Sequence, residues 1–430
     1  MVFAIMIVLF SISLSDAQKL EIGGYGENET MFTFADTGYF SDVAKLRVEA
    51  SAGTDFYSFE SHVIFSTAYQ PIDPILGMRK GSKMMSLFDG MFENMLAGVQ
   101  NDTTLSAMMT DSSNAGAMDG FSELMFMLDD RTIRYLPYTS FYPKETIMLD
   151  RLLIKLFFKH ADVYVGRQQI AWGTGYAFNP TDIWNQKNPL DVSAPKLGVN
   201  ALRIEMPFGE LSNINLIGVP GADLKHSSVG VRVKTNMLGY DASVSASRFM
   251  NADRVILGLP ARNIFGVDMA GQIGEVGVWA EAVAINHKND DMDNFEIDST
   301  YFQVDAGLDY TFESGIYVMG EYYFNSLGHS NPDRYAPTDI FLQYMGDMAG
   351  LGENYLMLGV RDNFWDKVDA TVFVLSNLSD YSAIIMPTAE YYFSDGVSLD
   401  FRVSIAAGDR KKTEFGSIYH SMMAKIVAYF

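Results

Sequence analysis

Six histidines are the side chains best suited to proton transfer near neutral pH: His62, His160, His226, His287, His329 and His420. Nucleophilic hydrolysis needs a nucleophile, a base and a group that orients the base. None of these histidines belongs to a recognisable nucleophile motif, and several fall at predicted turns or loop ends. We therefore expect no catalytic residue, no cofactor and no enzymatic activity.

An acidic run is the other group of residues with chemical potential. It lies between His287 and Asp298 and includes Asp290, Asp291 and Asp293. Carboxylate oxygens suit Ca²⁺, but the run lacks the glycine of the EF-hand loop. A solvated acidic loop is the favoured interpretation and no metal site is predicted. Calcium held between loops or against lipopolysaccharide is the alternative.

The whole chain is acidic, with a formal net charge of -22 over 430 residues, and it contains no cysteine. A nucleic-acid backbone requires a surface rich in Lys and Arg, so nucleic acid is excluded as a partner. The lack of cysteine excludes a disulfide scaffold. Carboxylates along an aqueous path would instead favour cations.

Charged side chains recur at every second position, opposite apolar ones. Between Tyr301 and Phe312, Asp305 and Asp309 fall on one face, and the other face carries no charge. The charged residues on such polar faces are Asp305, Asp309, Glu321, Asp400, Arg402, Arg232, Lys234, Glu281, Asp369, Arg203 and Glu205. This alternation places one face of a β-strand in water and the other in an apolar environment. These residues are therefore predicted to line an aqueous interior.

The alternating runs are long enough to cross a bilayer. They reach about 10–12 residues, the length that a tilted strand needs, whereas strands of a soluble sandwich average about 5–6. A Lys or Arg facing lipid at the midplane costs about 2–4 kcal/mol, which explains why charges keep to one face. After the N-terminus, no apolar run approaches the roughly 20 residues of a spanning helix. The pattern predicts an all-β, transmembrane, antiparallel up-and-down β-barrel.

Connections between the runs alternate in length. Short links at residues 313–315 and 394–396 carry turn residues, and long segments such as 172–196 and 326–352 separate them. Outer-membrane barrels have short periplasmic turns and longer outer loops. The count is about 18 strands, with 16 as the alternative. The last strand ends at Phe430, which resembles the assembly signal of outer-membrane proteins and predicts a location in the bacterial outer membrane.

The chain begins with an apolar run over residues 2–14, followed by Ser15, Asp16 and Ala17. Small residues at the first and third positions before a cut are what a signal peptidase reads. Residues 1–17 are therefore predicted to be an export signal, and residues 18–430 to form the barrel. A buried N-terminal helix is the alternative.

The alternation fails between residues 70 and 145, where methionine is abundant. The segment is too long for a plain loop. Phe88, Met91, Phe92 and Met95 recur at helical spacing and predict a short amphipathic helix. One hypothesis is a constriction loop folded into the lumen, with these side chains along the path. The other is an extracellular cap with its own apolar cluster, and the sequence favours neither.

The most distinctive stretch runs from Val165 to Asp191 and contains Gly-Arg-Gln, Trp-Gly and Asn-Pro-x-Asp elements. These elements resemble a family of outer-membrane barrels grouped with alginate-export-like porins, and the resemblance implies a barrel that passes a solute. The aromatic residues of this loop are Trp172, Tyr176, Phe178 and Trp184. Such rings anchor a barrel at the membrane interface or line an entrance where sugars stack. The interface girdle is the favoured interpretation.

Together these patterns predict a porin-like channel for passive diffusion of small hydrophilic solutes, with a modest preference for cations. An 18-stranded ring leaves an aqueous lumen, and opposed acids and bases across it would select solutes by size and charge. The expected partners are outer-membrane lipid, lipopolysaccharide, the solute and, in a homo-oligomer, further copies of the chain. The alternative hypothesis is a non-conducting adhesin, receptor or structural barrel with a plugged lumen.

Overall fold

The structure is a computed structural model, and it describes residues 19–34, 39–69, 83, 86, 145–185, 188–192, 196–251, 254, 259–287 and 300–430. Several predictions lie outside these residues and stay predictions: the export signal at 1–17, the helix-spaced residues Phe88, Met91, Phe92 and Met95, and the weak calcium candidates Asp290, Asp291 and Asp293. The placement of the methionine-rich segment inside or outside the lumen stays open for the same reason.

The described residues form one 18-stranded antiparallel sheet. Its first nine strands are β1 (Lys19–Thr33), β2 (Tyr39–Gly53), β3 (Tyr57–Tyr69), β4 (Glu145–Phe158), β5 (Ala161–Gln168), β6 (Val199–Pro207), β7 (Asn213–Val219), β8 (Ser228–Met237) and β9 (Tyr240–Phe249). The other nine are β10 (Arg262–Ile273), β11 (Val276–His287), β12 (Thr300–Thr311), β13 (Tyr317–Asn325), β14 (Asn354–Phe364), β15 (Val368–Asn377), β16 (Ser382–Ser394), β17 (Val397–Ala407) and β18 (Ser421–Tyr429).

Each strand pairs with its neighbours in the sequence, and β1 also pairs with β18. This last pairing runs from Tyr25 opposite Tyr429 to Thr33 opposite Ser421, and it closes the sheet into a barrel. Beyond it, the backbone N–H of Phe430 donates a hydrogen bond of 3.1 Å to the carbonyl of Gly24. The predicted up-and-down barrel of about 18 strands is confirmed, and the alternative of 16 is excluded.

Side chains alternate between the two faces of the barrel wall, as β12 shows. Phe302 and Leu308 are 51% and 54% exposed on the outer face. Tyr301, Gln303 and Asp305 point inward and are buried. This alternation follows from the pleat of a strand. An apolar exterior around a polar interior is what lipid imposes on a spanning barrel.

The two ends of the barrel differ in their connections. At one end the links are tight: Leu238 and Gly239, with φ of 56° and 86°, form the whole connection between β8 and β9. Positive φ at both central residues is typical of a type I′ turn, whose twist matches the flanking strands. The long connections, including residues 169–198 and 326–353, lie at the other end. The predicted alternation of short turns and long loops is confirmed.

One long connection carries a helix, α1 (Pro337–Tyr344), between β13 and β14. It begins with proline in the first turn, and the carboxylate of Asp339 accepts a hydrogen bond of 2.7 Å from the backbone N–H of Ala336. Both features favour a helix start. Its consecutive residues Ile340 and Phe341 are both buried, so the helix is covered on more than one side. No helix within the described ranges combines the length and the apolarity needed to cross a membrane.

Candidate functional site

The described residues of the connection between β5 and β6, which are 169–185, 188–192 and 196–198, fold inside the barrel, and we call this connection the inner loop. Its Trp172 and Trp184 meet edge to face, with ring centroids 5.8 Å apart. Both are buried against inward-facing apolar residues, which are Val199, Ala201, Ile217, Ile264, Val283 and Ile285. These residues belong to β6, β7, β10 and β11, so the inner loop covers that side of the lumen.

Further along the inner loop, Phe178 stacks on Tyr323 of β13, with ring centroids 4.3 Å apart and an interplanar angle of 4°. Tyr176 lies 5.5 Å from the ring of Phe373 of β15. The predicted aromatic residues Trp172, Tyr176, Phe178 and Trp184 therefore all pack inside the barrel. Their interpretation as a girdle at the membrane interface is wrong, because the rings bury their apolar surface against the inner wall instead of against lipid.

Glu321 of β13 holds the inner loop by its backbone. Its carboxylate accepts hydrogen bonds from the N–H groups of Tyr176, Ala177 and Phe178 at 2.5, 2.7 and 2.8 Å. It also accepts one from the indole N–H of Trp279 at 3.0 Å. Hydrogen bonds to a charged acceptor are roughly twice as strong as neutral ones. This single carboxylate therefore fixes three consecutive residues of the loop against the wall.

Glu281 of β11 binds the preceding turn of the inner loop in the same way. It accepts hydrogen bonds from the backbone N–H groups of Thr174 and Gly175, and from the backbone and hydroxyl of Thr181 at 3.1 and 2.8 Å. The turn requires glycine, since a Cβ on Gly175 would lie 1.8 Å from the carbonyl oxygen of Phe178. Backbone and carboxylate meet here without room for a side chain.

A β-bulge fixes the C-terminal base of the inner loop. The pairing of β3 with β4 shifts register between His62 and Val63, which leaves Asp150 as the extra residue. Asp150 is fully buried, accepts a hydrogen bond of 3.0 Å from the backbone N–H of Gly198, and lies 2.9 Å from Nη1 of Arg47. Sequence reasoning missed Asp150, because an extra residue changes the phase of alternation without a local signal.

A buried ion pair closes the inner loop on itself. Asp182 is fully buried and binds the ammonium group of Lys196. Its carboxylate also accepts a hydrogen bond of 3.2 Å from the backbone N–H of Asn185. Burial raises the pKa of Asp182 to about 6, and Lys196 and the backbone donors offset only part of that rise. The loop thus contains a carboxylate that titrates in mildly acidic solution.

A cavity of about 460 Å³ lies beside the inner loop. Tyr176, Leu190 and Val192 form its loop side, and strands β13 to β17 form its wall side. The charged residues of that wall are Arg361, Asp369, Glu390, Asp400 and Arg402. Nη1 of Arg402 lies 3.0 Å from Oδ1 of Asp191, so the inner loop reaches as far as β17. The loop and the wall thus enclose a polar space within the barrel.

Three carboxylates of this cavity lie side by side on neighbouring strands. Asp369 of β15 pairs with Glu390 of β16, which pairs with Asp400 of β17. Neighbouring strands are about 4.7–4.9 Å apart, so the three form a continuous acidic row. Lys425 of β18 ends the row, 3.7 Å from Asp400. Sequence reasoning named the two aspartates but missed Glu390, although its place in the alternation of β16 carried the signal.

The structure places the other predicted lining residues in two groups. Glu281, Asp305 and Glu321 face inward, but the inner loop buries them and separates them from the cavity. The rest lie on the inner wall with polar partners: Arg232 with Asp268, Lys234 with Asp241, Arg203 with Glu205, and Asp309 with Tyr317. The first group cannot meet a solute while the loop is in place. For the second group, contact with solute stays a prediction.

A second polar cluster, on the inner wall of β2 to β4, was missed by sequence reasoning. Arg47 contacts Glu49 and His62, and Glu60 lies 2.8 Å from Lys155. Glu49, His62, Glu60 and Lys155 also line a further cavity of about 610 Å³. The inner wall of β2 to β4 therefore carries charges of both signs.

Loops at the mouth of the barrel are joined by a buried charge cluster. Asp347, between α1 and β14, lies 3.0 Å from Arg254 and 3.2 Å from Arg262, and accepts a hydrogen bond of 2.7 Å from the hydroxyl of Tyr301. Burial by itself would raise the pKa of Asp347, but the two guanidinium groups and His287 outweigh it and hold that pKa well below its usual range. The cluster fixes the helix-bearing connection to the inner wall.

The geometry defines a class: a closed transmembrane β-barrel of 18 strands with one long connection folded into its lumen. No protein-family model matches the sequence, and no curated protein matches it. Among solved structures, OccAB4 of Acinetobacter baumannii is similar with a TM-score of 0.57 and 8% identity, over 96% of this chain and 99% of that chain. A double variant of OccD1 (OprD) is similar with a TM-score of 0.54 and 7% identity, over 97% and 98% of the two chains. The chain has the fold of porin-type bacterial outer-membrane barrels.

Proposed function

We propose that this protein is a channel of the bacterial outer membrane through which small hydrophilic solutes diffuse passively. The observation that supports this best is a closed barrel with an apolar exterior, whose inner loop borders a charged cavity. A solute passing between the inner loop and β13 to β17 would exchange part of its hydration shell for carboxylates, guanidinium groups and hydroxyls. No catalytic step is needed for this function.

A modest preference for cations is part of the proposal. The acidic row of Asp369, Glu390 and Asp400 lines the cavity, whereas Arg402 is paired with Asp191 of the inner loop. The remaining guanidinium group of the lining, that of Arg361, lies over the ring of Tyr317 at 5.7 Å. An excess of carboxylates over guanidinium groups raises the local concentration of cations.

Planar-bilayer recording of the purified protein in KCl tests conduction. We expect stepwise conductance increments from the full chain. A variant that lacks residues Met84 to Met127 is recorded in parallel, because that segment, except for Ser86, lies outside the described residues and a plug formed by it would mask an open path. The absence of conductance from both proteins would contradict the channel function.

The reversal potential under a KCl gradient tests the preference for cations. The double variant Asp369→Asn and Glu390→Gln should lose most of the cation preference, because it removes two of three charges from the acidic row. Asp395→Asn, on the exposed turn between β16 and β17, is the matched control and should leave the potential unchanged. Equal reversal potentials for the double variant and the parent would show that the acidic row does not determine ion selectivity.

A non-conducting barrel with an adhesive, receptor or structural role is the second candidate. The observation that favours it is that two connections pack inward, since Ile340 and Phe341 of α1 are buried as well as the aromatic residues of the inner loop. Liposome swelling distinguishes the two functions. Vesicles that contain an open channel swell in an isotonic solution of a small sugar, whereas vesicles with a plugged barrel keep their volume.

The proposed partners follow from the location. We propose contact with outer-membrane lipid and lipopolysaccharide, passage of a small solute, and assembly into a homo-oligomer. The relation to alginate-export-like porins also stays a proposal, because it depends on the elements between Val165 and Asp191. In the structure this stretch includes the end of β5 and most of the inner loop.

A further inference from the structure

Three polar side chains interrupt the apolar outer face of the barrel near its closure. Asn28 and Thr30 lie on β1, and Thr30 pairs with Asp42 of β2. On the other side, Asn28 pairs with Ile426 and Thr30 with Ala424, both on β18. Paired residues of an antiparallel ladder project from the same face. Ile426 is 46% exposed, so the face shared by these residues is the outer one.

Asp42 is the acceptor of this polar group. Nδ2 of Asn28 donates to Oδ1 of Asp42 at 2.9 Å, and the hydroxyl of Thr30 donates to the same oxygen at 3.1 Å. No donor among the described residues reaches Oδ2. Along β2, the outward residues Phe40 and Leu46 on either side are each 43% exposed, so Asp42 lies within the apolar band. Lipid tails offer no hydrogen-bond donor to that oxygen.

The opposite wall of the barrel shows a different arrangement. There the outward polar residues Asn286 and Thr300 pair at the loop end of β11 and β12, where they bond each other at 2.8 Å. Below them the outward residues Ala284, Phe302 and Val304 are apolar. That wall therefore meets the requirements of lipid along its whole length, and the wall around Asp42 does not.

Small residues surround the polar group on the outer face. Gly26, Ala44, Ala424 and Ala428 occupy outward positions of β1, β2 and β18. A Cβ on Gly26 would meet no atom within 4 Å, so packing within this chain does not require glycine there. Small residues let a second polypeptide wall approach closely in a membrane, where van der Waals packing and interchain hydrogen bonds drive association.

From these observations we infer that the outer face of β18, β1 and β2 binds a second copy of this chain, with Asp42 at its centre. A surface at this depth meets either lipid or another membrane-embedded wall. The face is self-complementary, because Asn28 has a second amide hydrogen and Asp42 a second carboxylate oxygen, so two copies related by a two-fold axis satisfy each other. The inference rests on the proposed membrane location and is independent of conduction.

Disulfide cross-linking in native outer membranes tests this contact. The chain has no cysteine, so a single introduced cysteine reports only its own position. Ala44→Cys lies beside Asp42, and Ala282→Cys is the matched control, an outward alanine on β11. On oxidation we expect about tenfold more dimer from the Ala44→Cys variant, since only that position would face its symmetry mate. Equal yields from the two variants would overturn the inference.

Asp42→Leu in the Ala44→Cys background separates a protein contact from a lipid contact. Leucine suits lipid at least as well as aspartate, so a lipid-facing role predicts an unchanged cross-linking yield. If Asp42 lies at an interface, the loss of the acceptor should weaken association by about tenfold. Heat-modifiable migration in gels checks that the variant barrel is still folded. Asp42→Asn keeps one oxygen for the bonds from Asn28 and Thr30 but puts an amide donor in the place of Oδ2, so it should weaken the dimer as Asp42→Leu does.

The remaining outcomes also decide the question. A cross-linked product between Ala44→Cys and a different protein overturns the second copy as the occupant, and so does a monomeric mass for the unmodified chain extracted in mild detergent. A monomer that conducts would end this inference and leave the channel intact. A dimer without conductance would contradict the channel function and leave this inference intact.

Discussion

Glu321 accepts hydrogen bonds from three consecutive backbone N–H groups of the inner loop and from the indole of Trp279. Glu321→Gln removes the negative charge and replaces one acceptor oxygen by an amide NH₂ group, which faces the N–H groups that Glu321 binds. We expect a local loss of about 2 kcal/mol, or roughly 30-fold faster hydrogen exchange at residues 176–178. Hydrogen–deuterium exchange with mass spectrometry measures this. Glu313→Gln, on an exposed turn, is the control, and equal exchange in the two variants would contradict the anchoring role.

Asp182 gives the inner loop a pH dependence whose sign is fixed by its raised pKa. Its pKa rises from 3.8 to about 6 in the folded loop, so its stabilising contribution is complete below about pH 4 and is lost as the pH rises through 6. A pKa difference of this size corresponds to about 3 kcal/mol. Asp182→Asn removes the titration. The difference in unfolding free energy between parent and variant should change by about that amount between pH 4 and 7, and a constant difference would refute it.

At the scale of residues, the sequence predicts which side chains face inward but not which of them meet solvent. The alternation of β12 places Asp305 on the polar face correctly, since facing depends only on position along the strand. Whether Asp305 is exposed depends on the inner loop, which begins more than a hundred residues earlier. A similarly long stretch of sequence separates Glu281 from its donor Thr174, which lies 107 positions earlier. No local pattern records a contact of that range.

Among the elements, the inner loop is the one whose shape depends most on a single position. Gly175→Ala would place a Cβ 1.8 Å from the carbonyl oxygen of Phe178. Because that oxygen belongs to the backbone, the clash can be relieved only by a shift of the main chain. We expect the turn that binds Glu281 to open and the loop to become accessible to protease. Gly218→Ala on β7 is the control, because its Cβ would meet no atom within 4 Å. Limited proteolysis followed by mass mapping of residues 169–198 distinguishes them, and equal resistance would contradict the prediction.

The strands could be predicted because each carries its own evidence, a period of two over its full length. The bulge at Asp150 could not, since one extra residue looks like an ordinary strand residue until its partner strand is known. Aromatic residues and glycines mark the inner loop as distinctive in the sequence, but they do not predict its burial. Aromatic rings are common both at a membrane interface and in a protein interior, so composition does not distinguish these two locations.

At the scale of the whole molecule, the mouth of the barrel depends on Asp347 and its two arginines. Asp347→Asn would leave two buried guanidinium groups without a counter-ion, which costs about 3 kcal/mol or more. Because the pKa of Asp347 is lowered, its contribution is present above pH 3.8 and disappears as the pH falls below that value. Denaturant unfolding at neutral pH should show the loss, and Asp333→Asn in the same connection should not. Comparable stability of both variants would rule out a structural role for the cluster.

The closed barrel itself follows from the count of strands and from the need to leave no unpaired edge in lipid. The filling of its lumen does not follow, because it results from contacts between loops and distant strands. Phe178 on Tyr323 and Arg402 with Asp191 are examples. Sequence therefore specifies the wall of this molecule more completely than its interior.

Glu321 and Glu281 hold the inner loop mainly through main-chain N–H groups, which every residue except proline possesses. The side chain of Tyr176 borders the cavity while its own N–H is held by Glu321. Replacement of Tyr176 by a smaller or charged residue would thus alter the cavity without releasing the anchor. An architecture of this kind lets related chains diversify the molecules they admit while the scaffold stays constant, and it makes position 176 a natural starting point for engineering a barrel with a different filter.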